Sequence, residues 1–209
     1  MFSKKITITF ICLLIIVSVV LSMVSIGRTA PATPIAKPTA KATCISEEGK
    51  EFIRGFENTI LYPYDDTGRK PRRLTEWNKN AAIGVGHLIQ KSEWDTYKNG
   101  ITREEADQLF EADLNRFSQQ IAPLIKVDLT QQQYDAIISF SYNIGAGAFK
   151  NSTALKYIND PEYTSDKYKS LADAWKAFNK QRDVVLEGLN KRRAAELAVY
   201  YNGDYSGRP

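Results

Sequence analysis

The sequence predicts an α+β domain, mostly helical with a small β-hairpin lobe near its start, preceded by an N-terminal apolar helix of transmembrane or signal type. Three observations predict it. An uncharged apolar stretch, Ile6–Gly27, lies near the start of the sequence. Apolar residues then recur at helical spacing in several windows, two of them headed by capping boxes. Between the first of these windows and the rest lies a segment rich in Pro, Gly and polar residues, with one short apolar run.

From Ile6 to Gly27 no residue is charged, and Lys4 and Lys5 stand just before. As a helix, Ile6–Ile26 would reach about 31 Å, close to the hydrocarbon thickness of a bilayer. A cleaved signal peptide has a shorter apolar stretch with a small-residue cleavage site directly after it. The best such site here, Ala40-Lys41-Ala42, lies well downstream. Residues 1–27 therefore fit a retained signal anchor better than a cleaved signal peptide. Arg28, Lys37 and Lys41 outnumber Lys4 and Lys5, so charge alone does not orient the segment. Residues 28–45 combine Pro, Ala, Thr and Lys without periodicity and read as an extended, semi-stiff linker.

The domain is expected over 46–209. Ser46 can cap a helix, with Glu47 and Glu48 in its first turn, and Phe52, Ile53, Phe56 and Ile60 follow at helical spacing. The pattern breaks near Tyr62-Pro63. Residues 61–88 then predict the β-hairpin lobe, with Ala81–Val85 as its apolar run. Thr102 and Glu105 form a capping box ahead of Ala106, Leu109, Phe110, Leu114, Phe117 and Ile121. Thr130 and Gln133 form another, followed by Tyr134, Ile137, Ile138 and Ser141 and a stop at Gly145-Ala146-Gly147. Shorter helices are expected over Thr153–Ile158 and around Tyr168–Phe178, and a last one from about Gly188 to Tyr201. There is no internal repeat.

Composition excludes several classes of function. Residues 1–43 carry five basic side chains and no acid, so the net charge of +4 belongs to the appendage. The remainder has 23 basic against 24 acidic residues, without the basic footprint that nucleic-acid binding needs. Cys12 and Cys44 make no disulfide framework. His87 is the sole histidine, which argues against a metal site built on histidine clusters. No cofactor or metal is expected.

One chemistry fits two carboxylates in unlike settings. Glycosidic cleavage needs one carboxyl that stays protonated and one that stays ionised. Glu57 closes the apolar first helix beside Phe56, where partial desolvation favours the protonated form. Asp66 follows nine residues on, in the polar turn Tyr64-Asp65-Asp66-Thr67-Gly68, where a carboxylate stays ionised. Spacing alone does not separate this pair from ordinary surface acids.

The order of motifs does more. Gly55-Phe56-Glu57, the Tyr64–Gly68 turn and Ala82-Ile83-Gly84-Val85-Gly86-His87 succeed one another. Leu129–Ala136, Phe140-Ser141-Tyr142-Asn143-Ile144-Gly145, Ala148–Thr153 and Gly188–Glu196 follow. In this order and spacing, residues 46–209 resemble the phage-type lysozymes of glycoside hydrolase family 24. The resemblance implies a lysozyme-like fold and a muramidase that cuts the β-1,4 bond between N-acetylmuramic acid and N-acetylglucosamine of peptidoglycan, with inversion and with water as nucleophile, for bacterial lysis or wall remodelling. It implies Glu57 as general acid and Asp66, rather than Asp65, as the partner carboxylate. Leu88, Tyr142 and Ser152 match positions lining the sugar cleft, although packing or capping explains each equally well. His87 is implied to support the site by hydrogen bonding. Trp77, Trp94 and Trp175 could stack on sugars, but packing accounts for them more simply.

The family's Thr before Ile-Gly is Ala82 here, so the hydroxyl expected to hold the attacking water is missing. Thr75, in the longer segment between Asp66 and Ile83, is the candidate replacement. That departure keeps open an alternative, a membrane-anchored and catalytically weakened lysozyme fold that binds peptidoglycan as a scaffold. The expected setting is a monomer on the cell-wall side, held in the membrane through residues 6–27 or exported after signal cleavage.

Overall fold

The computed structural model describes residues 42, 44–65, 67, 70–181 and 183–207. The predicted anchor, nearly all of the linker, Cys12 and Asp66 lie outside these described residues. Among the described residues, no helix is long and apolar enough to cross a membrane.

The first helix, α1, runs Glu47–Phe56. Ser46 caps it as expected, its hydroxyl accepting from the Gly49 N–H at 3.0 Å. The helix ends before Ile60, which opens strand β1 instead (Ile60–Asp65). The lobe is larger than the expected hairpin. It is a four-stranded antiparallel sheet in the order β2-β1-β3-β4, with β2 at Arg72–Arg73, β3 at Ala81–Gly84 and β4 at His87–Leu88. Tyr64 faces Arg73 on one side and Ala82 on the other, and Ala82 faces Leu88. Pro63 has no N–H for the ladder, and the β1–β3 register slips between Ile60 and Tyr64. Leu74, Ala81, Ile83 and Ile89 form a small core under this sheet, with Trp77, Trp94 and Tyr97 packed around it. A 3-10 turn at Lys91–Glu93 and the short α2 (Trp94–Tyr97) close the lobe.

The long α3 (Arg103–Ile121) joins the lobe to the helical body. Leu109 packs on the lobe core, while Phe110 and Leu114 belong to the main core. The capping boxes at Thr102/Glu105 and Thr130/Gln133 both form as the sequence predicts. The centre of the body is α4 (Gln131–Ile144), buried without a break from Gln133 to Ser141. A helix buried all round must be covered on every side, and α1, α3 and α8 (Glu187–Asn202) supply the cover. Gly145 ends α4 at φ +88° and at the same time caps α5 (Ala146–Lys150), so the expected stop is a bend between two helices. Only glycine takes that conformation without strain. The chain then forms α6 (Thr153–Asn159) and α7 (Leu171–Lys176). It next makes a two-stranded ribbon, β5 (Lys180–Gln181) with β6 (Val184–Val185), which the sequence did not suggest. Ahead of α1, Ala42 and Ile45 already pack on the main core, so packing begins before Ser46.

Candidate active site

Glu57 takes the C-cap position of α1, where the chain leaves the helical body for the sheet. Phe52 and Ile53 on the buried face of α1 fix the helix, and the helix fixes the place of the residue that follows it as C-cap. In place of the expected apolar surround, a buried cation faces Glu57. Across from Glu57, Arg192 of α8 donates Nη1–H to Oε1 at 2.6 Å, with its guanidinium 5.1 Å from the centre of the Phe56 ring. Arg192 is 4% exposed, and the Glu57 side chain is about a quarter exposed (24%). Glu57 thus keeps a face open to solvent while a buried cation holds the other.

Behind Arg192 lies a polar group inside the core. Glu196 accepts from Arg192 Nε at 3.1 Å, Arg193 Nη2 at 3.0 Å, Ser139 Oγ at 3.1 Å and Trp175 Nε1 at 2.9 Å. Arg193 Nη2 also donates to Asn143 Oδ1 at 2.8 Å. Burial pulls the Arg193 guanidinium down to about 10, which leaves it charged at neutral pH. The sequence reading missed these residues as parts of the site. The signal was present in Arg192, Arg193 and Glu196, whose i,i+3 and i,i+4 spacing allows one carboxylate to meet both cations.

Asp66 lies outside the described residues. Its neighbour Asp65 ends β1 and is 8% exposed. Asp65 accepts from the Thr67 N–H and hydroxyl, from Arg72 Nη2 and from Asn78 Nδ2. The Thr67 hydroxyl above all, then the Thr67 amide and Arg72, hold its carboxyl at about 2. With four donors committed to it, Asp65 organises the turn.

The structure spreads the other predicted residues. Ala82 is buried in β3 between Tyr64 and Leu88. Thr75 stands exposed in the bend between β2 and β3. Leu88 is half exposed (49%) on β4. Tyr142 packs its ring on Phe110 and Phe117 and donates its hydroxyl to the Val85 carbonyl at 2.8 Å. Burial pushes that phenol well above its ordinary range, with the charges of Asp113 and Glu57 adding to the effect. Ser152 is buried and caps α6, accepting from the Leu155 N–H. His87 is buried with Nδ1 2.9 Å from Asp113 Oδ2, and Arg116 donates to the same carboxylate at 2.8 Å. Trp175 is fully buried and stacked on Phe140, and Trp77 donates to the Ile89 carbonyl, so both serve packing. An open hollow of about 390 Å³ lies between the end of α4 and the β5–β6 ribbon. Ile144, Phe178, Leu186 and Leu189 form its apolar lining, with Asn143 and Lys180 among its polar groups. Among the described residues, no group of His, Cys, Asp and Glu is arranged to hold a metal ion.

Residues 55–196 match the family described as phage lysozyme. The chain belongs to the phage lysozyme family. The match begins two residues before Glu57 and ends on Glu196, so it contains the whole Glu57–Arg192–Glu196 arrangement. The endolysin of Salmonella phage P22 is 33% identical over 159 residues, covering 74% of this chain and 98% of that protein. The endolysin of Bacillus phage B103 is 32% identical over 161 residues, covering 77% of this chain and 55% of that protein. This phage lysozyme relative thus spans only about half the length of the Bacillus phage protein. Among solved structures, the muramidase domain of SpmX from Asticaccaulis excentricus superposes with a TM-score of 0.58 at 28% identity, covering 76% of this chain and 98% of that one.

Proposed function

We propose that this member of the phage lysozyme family is a peptidoglycan hydrolase that cleaves the β-1,4 bond between N-acetylmuramic acid and N-acetylglucosamine. The observation that carries the reading is the setting of Glu57. It stands at the end of a packed helix, partly open to solvent, with a buried guanidinium on its other side. In the proposed reaction Glu57 gives its proton to the glycosidic oxygen as the C1–O bond breaks. Water adds to C1 from the opposite face and passes its proton to Asp66. The product is inverted at C1, and the proton Asp66 gains balances the one Glu57 loses. Arg192 then faces the carboxylate that Glu57 has become, and a charge-assisted hydrogen bond stabilises that form.

The commitment of Asp65 to four donors supports Asp66 as the partner carboxylate, because Asp65 is occupied by the turn. Leu88 offers an open apolar surface to a glycan, and we assign it to the cleft. Thr75 remains the proposed water-positioning side chain, and Tyr142 and Ser152 the proposed cleft-lining ones. An anchor formed by residues 6–27, as their apolar run suggests, would hold the domain on the wall side of the membrane. The test is release of reducing sugar from purified peptidoglycan by the detergent-solubilised chain and by Glu57→Gln and Asp66→Asn. Loss of activity in both variants is expected. Unchanged clearing of peptidoglycan suspensions by Asp66→Asn, with anhydro-sugar products and no new reducing ends, would replace hydrolysis by a transglycosylase reaction.

A further inference from the structure

Glu196 lies about as deep in the helical body as a side chain can, at 0% exposure, and carries a formal charge there. A buried carboxylate is costly unless donors surround it. Here Oε1 takes Arg192 Nε, Arg193 Nη2 and Ser139 Oγ, and Oε2 takes Trp175 Nε1 with Arg193 Nε 2.9 Å away. The elements involved are α4, α7 and α8. The guanidinium of Arg192 therefore has three fixed neighbours. Its Nε is held by Glu196, its face lies on Phe56, and its Nη1 points at Glu57. A planar group held at one edge and across one face has little freedom in where its remaining N–H groups aim.

Charge tells the same story. Arg192 and Arg193 bring two positive charges into the core, and Glu196 offsets one of them. The charge left over is directed through Arg192 at Glu57. Among the described residues, Tyr142 of α4 feels the charges of both Glu57 and Arg192, and those of Asp113 of α3 and Tyr64 of β1 beyond them.

We propose that Glu196 is a positioning residue for the reaction: it holds the Arg192 guanidinium against Glu57 and cancels the second buried positive charge. This rests on Glu57 being the general acid. With Glu196 in place, the carboxylate left by proton transfer meets a partner already oriented for it. Without Glu196, Arg192 loses its anchor and two uncompensated cations face Glu57.

The test is steady-state hydrolysis of purified peptidoglycan across pH by the full chain in detergent. Glu196→Gln is expected to lower kcat by about ten- to a hundredfold, the scale of a misplaced group in a site, with KM within about twofold. The alkaline limb of its activity should move to lower pH, because added positive charge makes an acid release its proton more readily. In Glu196→Gln/Arg193→Gln the net charge is restored, so the limb should return while kcat stays low. Folded Glu196→Gln with wild-type kcat and an unmoved limb overturns the proposal. If Glu196→Gln fails to fold by circular dichroism, the charge-balanced double variant decides, and wild-type kcat in it overturns the proposal. Glu57→Gln separates the two levels. Full activity in Glu57→Gln overturns the general-acid reading and this one with it. An inactive Glu57→Gln beside a wild-type-like Glu196→Gln overturns only the role of Glu196.

Discussion

Replacing Asp135 by Ala is expected to lower folding stability by about 3 kcal/mol. Asp135 is 1% exposed on α4, at the place where both ends of the folded domain meet that helix. Its Oδ1 accepts the Ser46 N–H at 3.0 Å and Gln131 Nε2 at 2.8 Å. Its Oδ2 accepts the Ser46 hydroxyl at 2.5 Å and the Tyr205 hydroxyl at 2.7 Å. Each hydrogen bond to a charged group contributes about 1.5–3 kcal/mol. Gln131 is exposed and Ser46 and Tyr205 are half-buried, so water replaces the carboxylate for part of this set. The variant also regains the desolvation energy of the buried charge. What remains is about two such hydrogen bonds at the low end of that range, or about 3 kcal/mol. In a domain of this size, 1 kcal/mol moves Tm by about 2–4 °C, so melting should fall by about 6–12 °C. Tyr205→Phe deletes one of the four donors and should cost about 1 kcal/mol. Gly49→Ala would place a Cβ 2.6 Å from Asp135 Cγ, and overpacking of that kind costs about 1–3 kcal/mol. Thermal and urea melts followed by circular dichroism read all three. A loss below about 1 kcal/mol in Asp135→Ala, or equal losses in Asp135→Ala and Tyr205→Phe, would refute the shared-carboxylate reasoning.

Three further outcomes are expected. The Asp65 carboxyl is lowered from 3.8 to about 2, mainly by the Thr67 hydroxyl. A carboxyl more acidic in the folded than in the unfolded chain contributes stability that is complete above about pH 4 and lost as pH falls through about 2. Melting temperature should therefore drop over that window, and Asp65→Asn should flatten the drop; identical slopes would remove Asp65 from the acid response. Asp113→Ala takes the acceptor from His87 Nδ1 and the ion pair from Arg116. It should cost about 1–3 kcal/mol in urea unfolding, and no loss would contradict the buried pairing. The segment 6–27 is rich in Ile, Leu and Val, so the full chain should stay in the membrane fraction before and after depolarisation. Recovery of the full chain in the soluble fraction would contradict a retained anchor.

The helices that carry their own end signals were legible in the sequence. Ser46, Thr102 and Thr130 all cap as read, and the apolar spacing after each gave the buried face. Glu57 was legible as the close of the first helix, although the helical spacing ran on to Ile60; its general-acid role came from the order of motifs and stands as a proposal. The β-lobe was located but undersized, because strands of two residues, such as Arg72–Arg73 and His87–Leu88, are too short to show alternation. The β5–β6 ribbon was invisible for that reason too, and its valines are exposed. Gly145 read as a stop because a positive φ ends one helix; that the same residue begins another depends on the chain beyond it. The pairing of Arg192 with Glu57 was only half legible. Spacing put Arg192, Arg193 and Glu196 on one face of α8, but which of them meets Glu57 depends on how α8 packs against α1 and α4.

The most direct test of the account is the rate at which Glu57→Gln releases reducing sugar from purified peptidoglycan. The expected result is a fall in kcat of about 10²–10⁴, the usual contribution of a general acid, in a protein that remains folded by circular dichroism and still binds the wall. Equal sugar release by wild type and Glu57→Gln, with both bound to the wall, would contradict the catalytic role of Glu57 and leave a lysozyme fold that only holds peptidoglycan.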